Sequence, residues 1–368
     1  NPDSQPVDAG RRRLLGAAGA GAVAATLGGV TPSGTEARQS PPQGALRWGI
    51  VATGGIANSM APRIQKAEGA TLAAVSSRRM ESAEEFARHH GVPNAFDSWE
   101  RMLASDVIDA VYIATPTSVR EEIGVAAAGR GKHVLGEKPF ASLESLQRIV
   151  AACRANGVGF MDGTHFPHLS RTQRIQQEMN SRVGRPWSVA SAFQFNLQNR
   201  SNIRYRPDLE PYGAIGDAGW YNMRAAVEFL PEDVELVASE AWMQRGGDHG
   251  AAVTGSGVMR FSDGSTSTWN CGFISGSGVQ DLRITGKEGV LWVDDFVGAR
   301  GNERWRVRQG RDMKEHEIPF SKHAATSMFE DFTKMVGDPE LFEASARASL
   351  RTQALLDAAW ASALANEA

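Results

Sequence analysis

"LRWGIVATGGIANSMAPRIQ", residues 46–65, decides the fold. It reads as an apolar strand, a glycine-containing turn and the start of a helix. The turn, Ala52-Thr53-Gly54-Gly55-Ile56-Ala57, follows the pattern G-x-G-x-x-A with alanine in the first place. Small residues there let the backbone approach a pyrophosphate at a helix N-terminus, where free N–H groups and the helix dipole attract anions. Glycine-rich turns are common, so the flanking pattern must carry the reading. Ala52 is a departure, because its methyl is tolerable only if the residue avoids positive φ.

The flanking pattern is consistent. A second strand, "ATLAAVSS" (residues 70–77), precedes a helix from about Glu81 to His90. "DAVYIATP" (residues 109–116) is a third apolar strand, followed by a helix through Arg130; "KHVLGEKP" and "GVGFMDG" supply two more strands. Strands alternating with helices in this way predict a parallel, doubly wound sheet. Where such a protein selects NAD, an Asp or Glu ends the second strand and binds the ribose 2′-OH. Here the residues are Ser76-Ser77-Arg78-Arg79. A guanidinium beside a hydroxyl suits a 2′-phosphate, so we read Ser77 and Arg78 as a preference for NADP, against the alternative of an exposed basic turn.

From about Ser188 the pattern changes. "SVASAFQFNL", "ELVASEAWM", "GVMRFSDGSTSTWNCGF" and "LRITGKEGVLWVDD" are strand-like, several with period-two alternation, and Asp263-Gly264 and Gly286 to Gly289 resemble hairpin turns. The last helix is expected from Ala348 to Leu364. The predicted class is therefore α/β: an N-terminal Rossmann domain (45–164) and a C-terminal α+β domain on a large, mostly antiparallel sheet (165–345). Residues 346–368 are expected to pack back on the Rossmann domain.

Four motifs in this order, "GIVATGGIA", "YIATPTSVREE", "GKHVLGEKPFA" and "GAIGDAGWYNMRAA", resemble those of the glucose–fructose oxidoreductase, inositol dehydrogenase and rhizopine-catabolism family. The resemblance runs from Leu46 to the final helix. It implies that Lys138 of the EKP motif sits by the nicotinamide and the substrate hydroxyl. It also implies that Asp217 and, four residues on, the acid/base Tyr221 face one substrate; tyrosine here resembles the glucose–fructose oxidoreductase branch. An isolated tyrosine has a pKa near ~10, and an adjacent Lys138 ammonium is expected to lower it. The nucleotide contacts expected are Thr53, Gly54, Gly55, Ile56, Ala57, Ser77, Arg78, Thr115, Pro116, Glu137, Lys138 and Arg204. His165, and by the same argument His168, follow the fifth strand and are candidate substrate contacts beside Asp217 and Tyr221. "PYGAIGD" lacks the family's usual glycine pair before the D-x-G motif.

Composition excludes other classes. A net charge of -3 gives no reason for a nucleic-acid partner. Cys153 and Cys271 read as buried thiols, and no metal is expected, since the eight histidines form no ligand spacing. Residues 1–44 read as a signal and linker. "RRRLL" at Arg11 resembles a twin-arginine signal, "TEA" (35–37) is a small-x-small exit, and Leu14–Val30 is too short for a membrane span; the alternative is an arm kept on the mature protein. The expectation is a periplasmic homodimer or homotetramer with no membrane span. It would act on a sugar or polyol with tightly held NADP and ping-pong hydride exchange. The alternatives are a dehydrogenase with exchanging cofactor and a non-catalytic sensor.

Overall fold

The computed structural model describes residues 44–299 and 301–367; the expected signal, its exit and all of the linker but Gly44 lie outside the described residues. The first layer is built from β1 (Leu46–Val51), α1 (Gly55–Lys66), β2 (Ala70–Ser76), α2 (Met80–His90), β3 (Asn94–Phe96), α3 (Trp99–Leu103), β4 (Ala110–Ile113), α4 (Arg120–Gly129), β5 (His133–Gly136), α5 (Leu143–Ala155) and β6 (Phe160–Asp162). Its six strands are all parallel, in the order β3-β2-β1-β4-β5-β6. Helices cover both faces of such a sheet, which is why β1 and β4 are almost wholly apolar and buried. The three-residue β3 and five-residue α3 escaped the sequence reading because neither is long enough to show a period.

The second layer follows: α6 (Ser170–Arg182), β7 (Pro186–Asn196), α7 (Gly213–Asp217), α8 (Gly219–Phe229), β8 (Leu236–Gly246), β9 (Ala251–Phe261), β10 (Thr266–Gly272), β11 (Ile274–Gly286), β12 (Val290–Val293), β13 (Glu303–Gln309) and β14 (Asp312–Ile318). The chain closes with α9 (Ala324–Met335) and α10 (Pro339–Ala365). The eight strands order as β14-β13-β12-β11-β7-β10-β9-β8, antiparallel except for the β7–β10 pair. Gly264 at φ +85 turns the β9–β10 hairpin. Register splits the sheet into two faces. Ala241, Trp269, Ser191 and Leu282 are buried beneath the helices, and Asn222 of α8 donates to Ser191 Oγ at 2.9 Å. The other face carries Trp242, Val258, Thr268, Ala190 and Arg283 across neighbouring strands, with Trp242 50% exposed.

Two helices join the layers. Trp48 of β1 packs edge-on against Phe329 of α9, with ring centroids 5.0 Å apart. Along α10, Gln353 Oε1 accepts from Phe140 N at 3.0 Å and Ser362 Oγ accepts from Ala241 N at 3.0 Å, so this helix lies on both sheets. It starts well before Ala348, because Asp338 caps Glu340 and Leu341 and Pro339 takes the first helical position. Both cysteines are buried free thiols, and burial pushes Cys153 up to about 12.

Ala52 corrects the sequence reading. It does not avoid positive φ but sits at +83, held by its N–H donating to Ser76 O at 2.9 Å. A left-handed alanine costs roughly 1–2 kcal/mol, against which glycine carries a larger unfolded-state entropy. Ala52→Gly is therefore expected to stabilise the protein by about 1 kcal/mol, raising the melting temperature by ~2 °C, and Ala52→Val to lower it. Thermal unfolding checks this; a less stable glycine variant contradicts it.

Candidate active site

In a doubly wound sheet, ligands lie outside the carboxyl ends of the strands where the order reverses. That point here is between β1 and β4. On the β1 side, α1 begins at Gly54 with no side-chain cap and no acidic residue in its first turn. Gly54 and Gly55 are exposed, and a Cβ built on either meets nothing within 4 Å. The helix therefore presents unsatisfied N–H groups to open space. Ala57 is buried beneath the helix, where a small residue allows close helix–strand packing. Thr53 and Ile56 are half-buried at the rim, and Asn58 braces the turn by donating to Thr53 O at 3.0 Å.

The walls carry groups waiting for a ligand. Ser76 Oγ at the end of β2 and Thr115 Oγ1 beyond β4 are buried with no hydrogen-bond partner, an arrangement that folded proteins rarely leave unsatisfied. Ser77 is half-buried and Arg78 exposed. Arg78 has no hydrogen bond or ion pair among the described residues, whereas Arg79 is engaged by Ser82 Oγ at 3.0 Å. These groups fit a dinucleotide: amides for the pyrophosphate, hydroxyls for the sugars, and a free guanidinium at the adenosine end.

At the far end of the crevice four predicted side chains converge. Lys138, just after β5, donates from Nζ to Asp217 O at 2.8 Å and Asp217 Oδ1 at 2.7 Å. Arg204 Nε donates to Asp217 Oδ2 at 2.7 Å. Burial would push the Asp217 carboxyl up, but Arg204 and Lys138 together hold it well below the carboxylate range, and its carboxylate in turn raises Arg204. Lys138 Nζ lies 4.9 Å from the centroid of the Tyr221 ring, which also packs against Phe193 at 5.2 Å.

Tyr221 differs from the expectation that Lys138 lowers it. Burial, then the carboxylates of Glu137 and Asp217, push the phenol well above its ordinary value. The lysine's hydrogen bonds go to Asp217, and its ammonium lies over the Tyr221 ring. The site thus holds a neutral phenol, an acid.

The softer candidates separate. Glu137 is 5% exposed, and its carboxyl accepts from Tyr112 OH inside the core, raised chiefly by burial. Gly163 makes room for it, since a Cβ there falls 2.8 Å from Glu137 Oε1. Pro116 caps a 3-10 turn beside Thr115. His165 stands close enough to Lys138 and His323 for both to disfavour its charge after burial, and it is brought down to about 3; its Nε2 has no partner. His168 instead binds Asp331 of α9 at 2.8 Å. Sequence reasoning missed Asp162, which accepts from Arg224 Nη1 at 2.6 Å and Ser349 Oγ at 2.5 Å and so fixes α8, the helix of Tyr221, to both β6 and α10. No local pattern signals that three-element contact. Among the described residues, no group of three or more His, Cys, Asp or Glu side chains could hold a metal ion.

A nucleotide crevice opening onto a lysine, a carboxylate and a phenol defines a two-domain, nicotinamide-dependent oxidoreductase. Residues 46–164 match the oxidoreductase family with an NAD-binding Rossmann fold, and residues 173–292 match the GFO/IDH/MocA C-terminal domain; the chain belongs to this family. The D-xylose 1-dehydrogenase (NADP(+)) 2 of Haloferax volcanii is 34% identical over 60% of this chain and 67% of its own length. The scyllo-inositol 2-dehydrogenase (NADP(+)) IolU of Bacillus subtilis is 29% identical over 80% of this chain and 90% of its own. Among solved structures, a 3-ketoreductase from Actinomadura kijaniata in complex with NADP and TDP-benzene superposes with a TM-score of 0.77 at 25% identity, over 85% of this chain and 96% of that one.

Replacing Asp217 by Asn leaves Lys138 and Arg204 facing each other without a counter-charge. A carboxyl lowered on folding stabilises above its unfolded pKa of ~3.9 and loses that contribution as pH falls through the folded value. Asp217→Asn is expected to cost about 2 kcal/mol at pH 7, below the ~3–5 kcal/mol of a fully buried pair because the Arg204 side chain is 35% exposed. In denaturant titrations the gap from the natural protein should narrow below pH ~4; a gap that persists there contradicts the assignment.

Proposed function

We propose that this chain is an NADP-dependent oxidoreductase of sugars or related polyols that holds its nucleotide through the cycle and passes hydride between two substrates in one site. The observation that carries the chemistry is the Lys138–Asp217–Arg204 cluster against the buried Tyr221 phenol. The bound nicotinamide supplies or takes the hydride. Tyr221 gives its proton to the carbonyl oxygen of a substrate being reduced and takes it back from a hydroxyl being oxidised. An ammonium has three donors. Two of those on Lys138 go to Asp217, which leaves the third to orient the substrate oxygen.

NADP preference is supported by the free Arg78, by the absence of a carboxylate at the end of β2, and by the two NADP(+)-named relatives. The same relatives, named for xylose and inositol, support a polyhydroxylated substrate. The unpartnered Nε2 of His165 supports a contact from this residue to the substrate. Retention of the nucleotide is supported by the leader, read as a twin-arginine signal. A protein exported already folded carries its cofactor into a periplasm that holds none. The second reading, an ordinary dehydrogenase with exchanging cofactor, uses the same residues. The open sheet face bearing Trp242 and Val258 supports a homodimer or homotetramer.

Tyr221→Phe removes the proton donor and is expected to lower turnover of any accepted sugar by about 10²–10⁴-fold; unchanged turnover contradicts the assignment. The raised phenol also sets a sign. Oxidation of an alcohol needs the phenolate, so its rate should climb between pH ~7 and ~9, whereas carbonyl reduction should not. Arg78→Ala is expected to lower the preference for NADP over NAD by about 10–100-fold, the worth of a charge-assisted hydrogen bond. Ratios of kcat/KM for the two nucleotides check it.

A further inference from the structure

Between β7 and α7 the chain runs from Leu197 to Tyr212 with one short 3-10 turn at Ile203–Tyr205. This segment leaves the second sheet and is fastened to the first. Arg204 does so by sharing the Asp217 carboxylate with Lys138 from the end of β5. Glu210 makes the second attachment, 9% exposed and docked on the loop after β4. Its Oε1 accepts from Thr117 N at 3.1 Å, and its Oε2 accepts from Thr117 Oγ1 at 2.5 Å. Arg120 backs the contact, with Nη2 at 3.7 Å from Glu210 Oε1. The same guanidinium donates to Thr117 Oγ1 at 2.9 Å, to Thr115 O at 3.0 Å and to Pro139 O.

Thr115 to Thr117 form the β4 wall of the crevice, opposite the glycine turn, and Thr115 carries the unpartnered hydroxyl noted above. The segment that brings Arg204 to the reacting end is therefore pinned, six residues later, onto that wall. Its far end is held as well: Tyr212 OH donates to Ala141 O at 2.9 Å. A buried, hydrogen-bonded charge pair governs how fast two surfaces part more than how fast they meet.

We propose that Leu197–Tyr212 is a strap that retains the bound nucleotide, and that Glu210 on Thr117 and Arg120 is its latch. The inference rests on the reading that the chain binds NADP, and it supplies a physical means for retention. Glu210 is a positioning residue in this account and touches neither substrate nor reacting atoms.

The test loads the full chain with NADP, dilutes it into nucleotide-free buffer and follows release with time. Glu210→Gln weakens the latch, and Thr117→Val removes the hydroxyl bridge without removing a charge. The second variant decides the matter if the first, which removes the ion-pair partner of Arg120, does not fold. Both are expected to release NADP at least about tenfold faster than the natural protein. Trypsin cleavage after the exposed Arg200 within the strap is expected to quicken as well, while cleavage elsewhere does not; a merely structural role would speed cleavage everywhere. Release within twofold of the natural rate, in folded variants of a protein that binds NADP, overturns the latch alone. A natural protein that binds no NADP overturns the functional reading and the latch with it.

Discussion

One carboxylate joins the two halves of the site. Asp217 ends α7 on the second-sheet side and receives Lys138 from the end of β5 and Arg204 from the segment before α7. Two cations so close would repel and lose solvation on burial; a shared anion between them makes the arrangement stable. The aspartate also fixes where the ammonium lies, over the Tyr221 ring. Remove that charge and Lys138 keeps only its bond to the Asp217 backbone oxygen, while Arg204 loses its ion pair. The proton-handling geometry depends on this ion triplet more than on the tyrosine itself.

Around the triplet the protein is built to hold α8 still. Asp162, 2% exposed, gathers Arg224, Ser349 and Thr164 from three parts of the chain, and Trp220 Nε1 donates to Thr164 Oγ1 at 2.6 Å. Arg224 continues to Glu228 at 2.6 Å. Arg224 meets two carboxylates at once, and the network holds α8, and with it Tyr221, in place. The nucleotide side is different: a strained Ala52, an uncapped helix and orphan hydroxyls. Rigid support lies beneath the acid/base group, and unsatisfied polar atoms lie where a ligand would complete them.

What could be read from the sequence followed from how local each signal is. The strand–turn–helix at 46–65 and the alternation after it are short-range patterns, and they led to the parallel sheet. Lys138, Asp217 and Tyr221 were found through motifs in register. Their convergence was legible as resemblance but the burial of Tyr221 and the carboxylates around it were not, which is why the phenol is raised where a lowering was expected. The Glu210–Thr117 and Asp162–Ser349 contacts span 93 and 187 residues; no spacing rule reaches that far. Helix α10 begins well before the expected Ala348, a start the sequence hides because its first turns expose Leu341 at 45% and break the amphipathic pattern, although Asp338-Pro339 is a readable start signal.

The most direct test of the whole account uses the protein as purified, with no nucleotide added. An aldose is mixed with it and the absorbance of reduced nicotinamide is followed, and then a second, carbonyl-bearing sugar is added. The account predicts a single-turnover rise of one equivalent per active site, reversed by the second sugar, with the hydrogen from the first recovered in the reduced second. No rise with protein shown to contain NADP, or a rise that only free oxidised nucleotide in solution can reverse, would contradict it.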